Sequence, residues 1–534
     1  MLTALNRMLF IILAISASPI WQSDAIGGEP EVKKGNDKAP RGSPDFYPSP
    51  EHPIGWRGDG TGRYPGATPP TTWFKKENGE KKNIVWETKL PCYSWSTPII
   101  VGDNIFTRSE PYDLVCLNKN TGKILWIRSL PAFVTVTAEE KKLNPAFMEI
   151  EPLVTNLQRI NDAFIVQGWT KELCKEKYDL QKQIDNLMTK IDKKYKLPPD
   201  MYCDSWSGYT ATTPSSDGQN IYFNSGNGVI ACYDLAGTKK WSLFESVTPV
   251  WGEHGFASSP TIVGDIFVAP SAVLHGFNKS TGSEIWQQNY PGGGTTIPFS
   301  VGGTDFVIYG WDFVRIKDGK SMLPRLGIGG GFFYDNMIYE GGSHASFYKV
   351  ESKPNEGLSV TPLIAEEYNR IKITAINDPK SNAGANMAGF STASPLYDNG
   401  LLYCLGNFGW MAVIDTKKIK QNDAIVYTNN PGFDFKLAYQ RKTPGMGLCA
   451  SPILAGKNIY MMDSAGCMLV VEPGREYKQV AKNDIDCTVP EWSPFGPAGY
   501  YTGPHHEQTE SSPIADGNRI YIRGEQYLYC VGEK

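Results

Sequence analysis

The sequence predicts an all-β chain, an eight-bladed β-propeller with an α-helical hairpin inserted after its first blade. Three observations carry this. A unit recurs as WSTPIIVGDNIFTRSEPYDLVCLNKNTGKILW at Trp95–Trp126, again at Tyr209–Trp241 and again at Phe256–Trp286. In all three a tryptophan stands four residues after a turn glycine: Gly122 to Trp126, Gly237 to Trp241, Gly282 to Trp286. Lastly, the final unit stops before its tryptophan strand, and a segment of that kind, KNIVWETKLP at Lys82–Pro91, stands alone near the front. Periods of this length mark propellers or solenoids. Only a ring needs an N-terminal strand to complete its last blade and leave no open edge.

Each unit reads as Ser/Thr-Pro, an apolar strand, a tight turn and an aromatic-rich strand, then a third strand, a Gly-containing turn and the tryptophan strand. Asp217-Gly218, Asn399-Gly400 and Gly517-Asn518 supply residues that tolerate positive φ in tight hairpins. Weaker copies follow at Thr295–Leu323, where Leu323 takes the tryptophan slot, and at Gly331–Val350. Phe390–Lys418, Leu448–Glu472 and Glu510–Val531 bring the number of units to eight. Trp311 and Trp410 lie late in their repeats and are expected in packing between blades.

The pattern breaks between Thr137 and Pro199. Ile150, Leu153, Leu157, Ile160 and Phe164 recur at helical spacing, and Leu173, Leu180, Ile184, Leu187 and Ile191 repeat it. Thr170 is placed to cap the second helix, and Pro198-Pro199 ends the segment. Two narrow apolar seams predict an antiparallel hairpin, either a lid packed on the propeller or an arm that grips a partner.

With 534 residues, 41% hydrophobic and 20% charged, the chain is long enough for a large repeat array. A formal charge of −4 gives no electrostatic case for nucleic acid or anionic membranes. Residues 1–25 read as a secretory signal peptide: Arg7 is basic, Met8–Ala17 is apolar, and small residues follow. Residues 26–47 read as a flexible linker, 48–136 as the closing strand and first blade, 137–199 as the insert and 200–534 as the remaining blades. No later stretch reads as a membrane-spanning helix. The expected location is periplasmic or secreted.

Export permits disulfides among the ten cysteines. Cys116, Cys232, Cys404 and Cys530 sit in strand-like runs and are expected to be small buried apolar groups. Cys92 and Cys203, each three residues before a tryptophan in CYSW and CDSW, are the candidate bridged pair.

The segment leading into each first strand is expected at one mouth of the central channel. Unusual residues gather there: Trp95, Trp206, Trp251, His254, His505, His506 and Glu507. These are the candidate ligand- or cofactor-binding residues, against the plainer reading of polar loop residues with ordinary hydrogen bonds. The run GPHHEQTE is no metal signature, since adjacent histidines project differently and no third ligand is fixed; no metal ligand is assigned. No G-x-S-x-G, H-E-x-x-H, Walker or EF-hand loop is present, and no catalytic residue is assigned.

The runs LVCLNKNTGKILW and LHGFNKSTGSEIW resemble the tryptophan-docking repeat of pyrroloquinoline-quinone (PQQ)-type propellers. HPIGWRGDGTGRYPGATPPTTW resembles the opening segment of secreted bacterial PQQ-like repeat proteins, and TESSPIADGNRIYIRGEQYLYCV their last blade. The likeness covers His52–Lys534 apart from the insert. It implies one of two functional classes. One holds quinone-dependent alcohol and sugar dehydrogenases, with PQQ and calcium as cofactors. The other holds non-catalytic binding propellers, including the propeller subunit of the outer-membrane β-barrel assembly machinery. This chain has neither the adjacent cysteine pair of many alcohol-oxidising members nor C-x-x-C-H for covalent haem. The expectation is therefore an exported binding or scaffolding propeller with a protein or small-ligand partner; the alternative is a PQQ-dependent periplasmic oxidoreductase.

Overall fold

The computed structural model describes residues 36–196, 208–247, 256–290, 294–310, 312–323, 331–340, 344–355, 357–363, 370–372, 393–405, 411–419, 425–429, 450–489 and 505–533. The expected signal peptide, the start of the linker, Trp206, Trp251, His254, Trp311, Trp410 and Cys203 lie outside the described residues. So does one partner of the expected Cys92–Cys203 bridge.

The repeat becomes a four-stranded antiparallel meander. In the first blade the strands are Ile99–Val101, Asn104–Ser109, Asp113–Asn118 and Ile124–Ser129. The second runs Ser215–Ser216 to Lys239–Phe244, the third Thr261–Val263 to Glu284–Gln288, and the fourth Ile297–Val301 to Ser321–Leu323. The fifth, Phe332–Tyr334 to Gly357–Pro362, gains an extra strand at Arg370–Lys372. The sixth is Leu396–Asp398 to Ile425–Asn429 and the seventh Ile453–Ala455 to Lys478–Ile485.

Seven blades, not eight, are thus continuous in sequence, because the last repeat unit ends after its third strand. Its strands Ile514–Asp516, Arg519–Arg523 and Tyr527–Gly532 form a composite sheet with Ile84–Lys89. The register pairs Cys530 with Trp86 and Leu528 with Thr88. This is the strand that KNIVWETKLP predicts, and it pairs the last repeat unit with a segment ahead of the first blade.

The tryptophans lock neighbouring blades together. Trp86, Trp126, Trp241 and Trp286 are all buried. Each indole N–H donates to a carbonyl of the following blade: Lys119 at 3.1 Å, Leu235 at 3.3 Å, Lys279 at 2.8 Å and Ile316 at 2.7 Å. Each ring lies on the turn glycine of that next blade. A Cβ on Gly122, Gly237, Gly282 or Gly319 would fall 2.6–2.9 Å from it, at positive φ besides. The cross-strand neighbour of each tryptophan is small: Cys530, Cys116, Cys232 or Gly276. That accounts for the cysteines in the strands, which burial keeps as thiols.

In an antiparallel meander all turns between first and second strands lie at one end of the channel, and those between second and third at the other. A strap from Asn36 to Trp73 crosses the first of these ends. Ile54 exchanges backbone hydrogen bonds with Ser216, and Arg63–Tyr64 adds in parallel to Leu454–Ala455. Thr68 N donates to Gly517 O, and Gly517 N to Gly42 O, both at 2.7 Å. Arg57, fully buried, donates to the carbonyls of Pro395 and Pro452 just before two inner strands. The described part of the expected linker is therefore docked: Tyr47 OH also donates to Gly218 O at 2.9 Å. Its Pro and Gly residues fit a chain held flat on turn backbones.

The insert is helical as expected, with α1 at Ala138–Leu143, α2 at Glu151–Gln167 and α3 at Lys171–Ile191. Thr137 closes a capping box with Glu140, and Thr170 caps α3 through Leu173 N. Ile150, Leu157, Ile160, Ile184 and Met188 form one apolar cluster with Ala132 and Phe133. Phe164 turns instead into the propeller core beside Ile127 and Leu90. The hairpin is packed on the blades as a lid. Among the described residues, no helix is long and apolar enough to cross a membrane.

Candidate functional site

The turns between second and third strands, with the lead-in segments, make up the channel end where the site residues are expected. Trp95 is there, half-buried and edge-on to Tyr93 with centroids 6.1 Å apart, beside Tyr178 of α3. His505 and His506 form a two-residue strand against Thr488–Val489. The His506 ring is buried; its Nδ1 lies 3.0 Å from Glu507 O and its Nε2 3.2 Å from Asp486 Oδ1.

Glu507 is buried, and its carboxylate accepts from Gln526 N at 2.8 Å, Tyr527 N at 2.6 Å and Tyr529 OH. A Cβ on Gly524 would lie 2.4 Å from that carboxylate carbon, so the turn needs glycine there. Glu507 thus clamps the last turn of the composite sheet. Burial pushes its pKa up to about 7 against the pull of the Tyr529 hydroxyl.

The structure also brings together residues that the sequence reading passed over. Arg108 and Arg523 occupy the same place in the second strands of adjacent sheets, in TRSEP and IRGEQ, and both are fully buried. The signal was available: an arginine stands at an inward strand position where neighbouring repeats carry Asn, Ala or Met. Arg108 lies over the Phe223 ring at 4.5 Å. It donates to Asp113 O at 3.0 Å, Asn224 O at 3.1 Å and Ser225 Oγ at 3.2 Å, tying the first blade to the second.

Glu110, two residues on, accepts from Tyr209 N at 2.9 Å, Thr210 N at 2.8 Å and the Thr210 hydroxyl. Burial raises its pKa to about 8, and its Oε2 has no hydrogen-bond partner among the described residues. Arg523 has Nη2 3.4 Å from Cys92 O, while Nε and Nη1 have no partner among the described residues; burial lowers its pKa to about 10. Chemically this end offers two buried carboxyl groups that hold protons near neutrality, and one guanidinium with unused donors. Among the described residues no group of three or more His, Cys, Asp or Glu is placed to hold a metal.

The raised carboxyls set a pH dependence. Between the unfolded value near 4.5 and the folded values of about 7 and 8, the native state binds protons that the unfolded chain has lost. Stability from these groups therefore falls as pH rises through that window, on the order of 3 kcal/mol for Glu507 and 5 kcal/mol for Glu110. Glu110→Gln with Glu507→Gln keeps the accepted backbone hydrogen bonds and removes the titration. Denaturant unfolding from pH 5 to 8.5 is expected to show a flatter profile for the double variant; parallel profiles would refute the assignment.

A family model of the PQQ type, described as outer membrane protein assembly factor BamB, matches residues 205–305. No curated protein matches the chain. Among solved structures, BamB from Moraxella catarrhalis is similar at 10% identity and a TM-score of 0.44, over 84% of this chain and 97% of that one. A europium-containing methanol dehydrogenase is similar at 11% identity and 0.46, over 82% and 84%. Quinohemoprotein alcohol dehydrogenase ADHIIG from Pseudomonas putida HK5 gives 10% and 0.42, over 84% and 76%. Likeness at this level carries no functional argument. Residues 205–305 thus carry a PQQ-type repeat, and the same tryptophan-to-glycine docking is seen at four blade junctions of the propeller.

Proposed function

We propose that this chain is an exported, non-catalytic propeller that binds a protein partner in the periplasm or at the cell surface. Counted with its composite sheet, it is a ring of eight. One observation carries the reading: Glu507, Glu110 and Arg108 at the expected channel mouth each hold a joint of the fold. Glu507 holds the turn at Gln526 and Tyr527, Glu110 holds Tyr209 and Thr210, and Arg108 spans two blades. The description of the matching family model, an outer-membrane assembly factor, points the same way. The insert adds an accessory surface with exposed apolar side chains, Leu143 and Met148.

The alternative, a PQQ-dependent oxidoreductase, draws on Arg523, whose two nitrogens without a partner among the described residues suit a ligand carboxylate. A quinone site also needs an aromatic floor, further cations and a free carboxylate base. The described residues do not supply that set: Glu507 and the Arg108 donors are already engaged.

The test uses purified full-length protein. Addition of PQQ and calcium is expected to give no artificial-dye reduction with a panel of alcohols and sugars. Cross-linking in envelope extracts is expected to trap a partner for wild type and to lose it for Leu143→Glu with Met148→Glu at unchanged Tm. Substrate-dependent dye reduction overturns the reading in favour of the oxidoreductase.

A further inference from the structure

The strap leaves part of its end of the channel open. Between it and the third, fourth and fifth blades lies a cleft of about 740 Å³. Trp56 of the strap forms one wall, with Phe333 and Tyr334 of the fifth blade opposite; Phe333 stacks on Phe299 with centroids 5.0 Å apart. Asp265 and Asp335 stand exposed on the rim in the turns after the inner strands of the third and fifth blades, and Asp305 stands exposed at the start of the fourth blade's second strand. Asp305 and Asp335 have no ion-pair partner among the described residues, and Asp265 has Lys279 Nζ at 3.8 Å. Of the charged side chains lining the cleft, five are carboxylates and one, Arg41, is a guanidinium already paired with Asp59.

We infer that this cleft is a binding site for an extended, cationic peptide segment of a partner protein. The chain's own strap shows the chemistry. It runs extended across the same ring of turns and pairs by backbone with the inner strands of the second and seventh blades. It sets the Arg63 guanidinium 4.9 Å from the Tyr334 ring centroid, with Nη1 donating to Tyr397 O at 3.0 Å and Nη2 3.4 Å from Asp398.

The inner strands Thr261–Val263, Ile297–Val301 and Phe332–Tyr334 are paired only on their outer side among the described residues. An open strand edge accepts an added extended chain through its backbone. Aromatic faces attract guanidinium or ammonium groups, and the unpaired carboxylates supply the complementary charge. An anionic or purely apolar segment would leave those carboxylates opposed or desolvated. The inference holds whether the opposite end of the channel scaffolds or catalyses.

The probe is a fluorescein-labelled octapeptide of alternating threonine and arginine, with threonine–glutamate and threonine–glutamine counterparts, read by fluorescence polarisation on the full chain. The arginine peptide is expected to bind, weakening as salt rises. Asp305→Asn with Asp335→Asn is expected to weaken it about tenfold, as when more than one charge contact is lost. Asparagine tolerates the left-handed conformation of Asp335, whose φ is +51°, so Tm should hold. Tyr334→Leu provides a second, uncharged test of the aromatic wall and should also weaken binding. No binding by the arginine peptide overturns the inference, as do equal binding of the glutamine peptide and full affinity in both variants.

Discussion

Removal of residues 1–91 is expected to abolish the stable propeller, whereas removal of residues 1–34 leaves its melting temperature within a few degrees. The first deletion takes away Ile84–Lys89, the fourth strand of the composite sheet, and leaves the Tyr527–Gly532 edge unpaired. It also removes Trp86, which is buried on Gly122 and bonded to Lys119 O, a loss of about 3–5 kcal/mol alone. The strap contacts to the second, sixth and seventh blades go with it. Together these approach the whole stability of an ordinary domain, about 5–15 kcal/mol. The boundary of the harmless deletion falls before Gly42, because Gly42 O accepts from Gly517 N. Gly122→Ala tests the same joint without touching the strap: its Cβ would meet Trp86 at 2.6 Å with φ at +71°. Thermal unfolding decides it. A 92–534 chain that melts with wild type would show that the ring closes by other means.

Lys177→Met is expected to lower stability by about 3–5 kcal/mol, the cost of leaving a buried partner charge uncompensated. Lys177 on α3 and Asp113 at the start of the first blade's third strand form an ion pair in which both side chains are almost wholly buried. The remaining polar atoms are satisfied around it: Lys177 Nζ donates to Asn161 Oδ1 at 2.7 Å, Asn161 Nδ2 to Ser129 Oγ at 2.9 Å, and Ser129 Oγ to Asp113 Oδ1 at 2.6 Å. One helical turn pair further on, Tyr112 OH donates to Asp185 at 2.6 Å, and burial raises that carboxyl to about 7. Asp113→Asn in the Lys177→Met background should recover part of the loss, since it removes the stranded charge. The exposed pair Arg159–Glu176 is the control, worth at most about 1 kcal/mol. Replacement of the insert by a Gly-Ser linker should likewise lower Tm and expose apolar blade surface to a hydrophobic dye. Unchanged Tm in Lys177→Met would mean the hairpin is an arm hung beside the propeller and not a lid.

The fold was largely legible because its determinants are local and repeated. Alternation of period two, a turn glycine and a tryptophan at a constant offset recur along one stretch of chain, and each copy raises the weight of the others. The docking of Trp126 onto Gly237 follows from that offset, since one residue type in one slot of every blade implies one structural task. The insert was legible for the same reason, its period switching to that of a helix between two intact repeats. The truncated last unit and the orphan KNIVWETKLP foretold the composite sheet.

The site was less legible. Glu507 stood out by type and place, yet nothing near it in the chain says that its carboxylate is occupied by Gln526, Tyr527 and Tyr529. Arg108 reaches Asn224 and Ser225 more than a hundred positions away, and Lys177 meets Asp113 across 64. Whether a charged side chain is solvated, paired or stranded depends on which distant segments converge on it. By itself, then, the sequence determined the blade, the joint between blades, the closing strand and the helical insert, all properties of short-range pattern. Only the tertiary structure decided that the insert is fastened by a buried ion pair and that the N-terminal strap covers one channel end but leaves a cleft. It also decided that Glu507 and Glu110 at the other end accept backbone hydrogen bonds from distant segments, because burial and partnership are set by convergence in space, which periodicity along the chain does not encode.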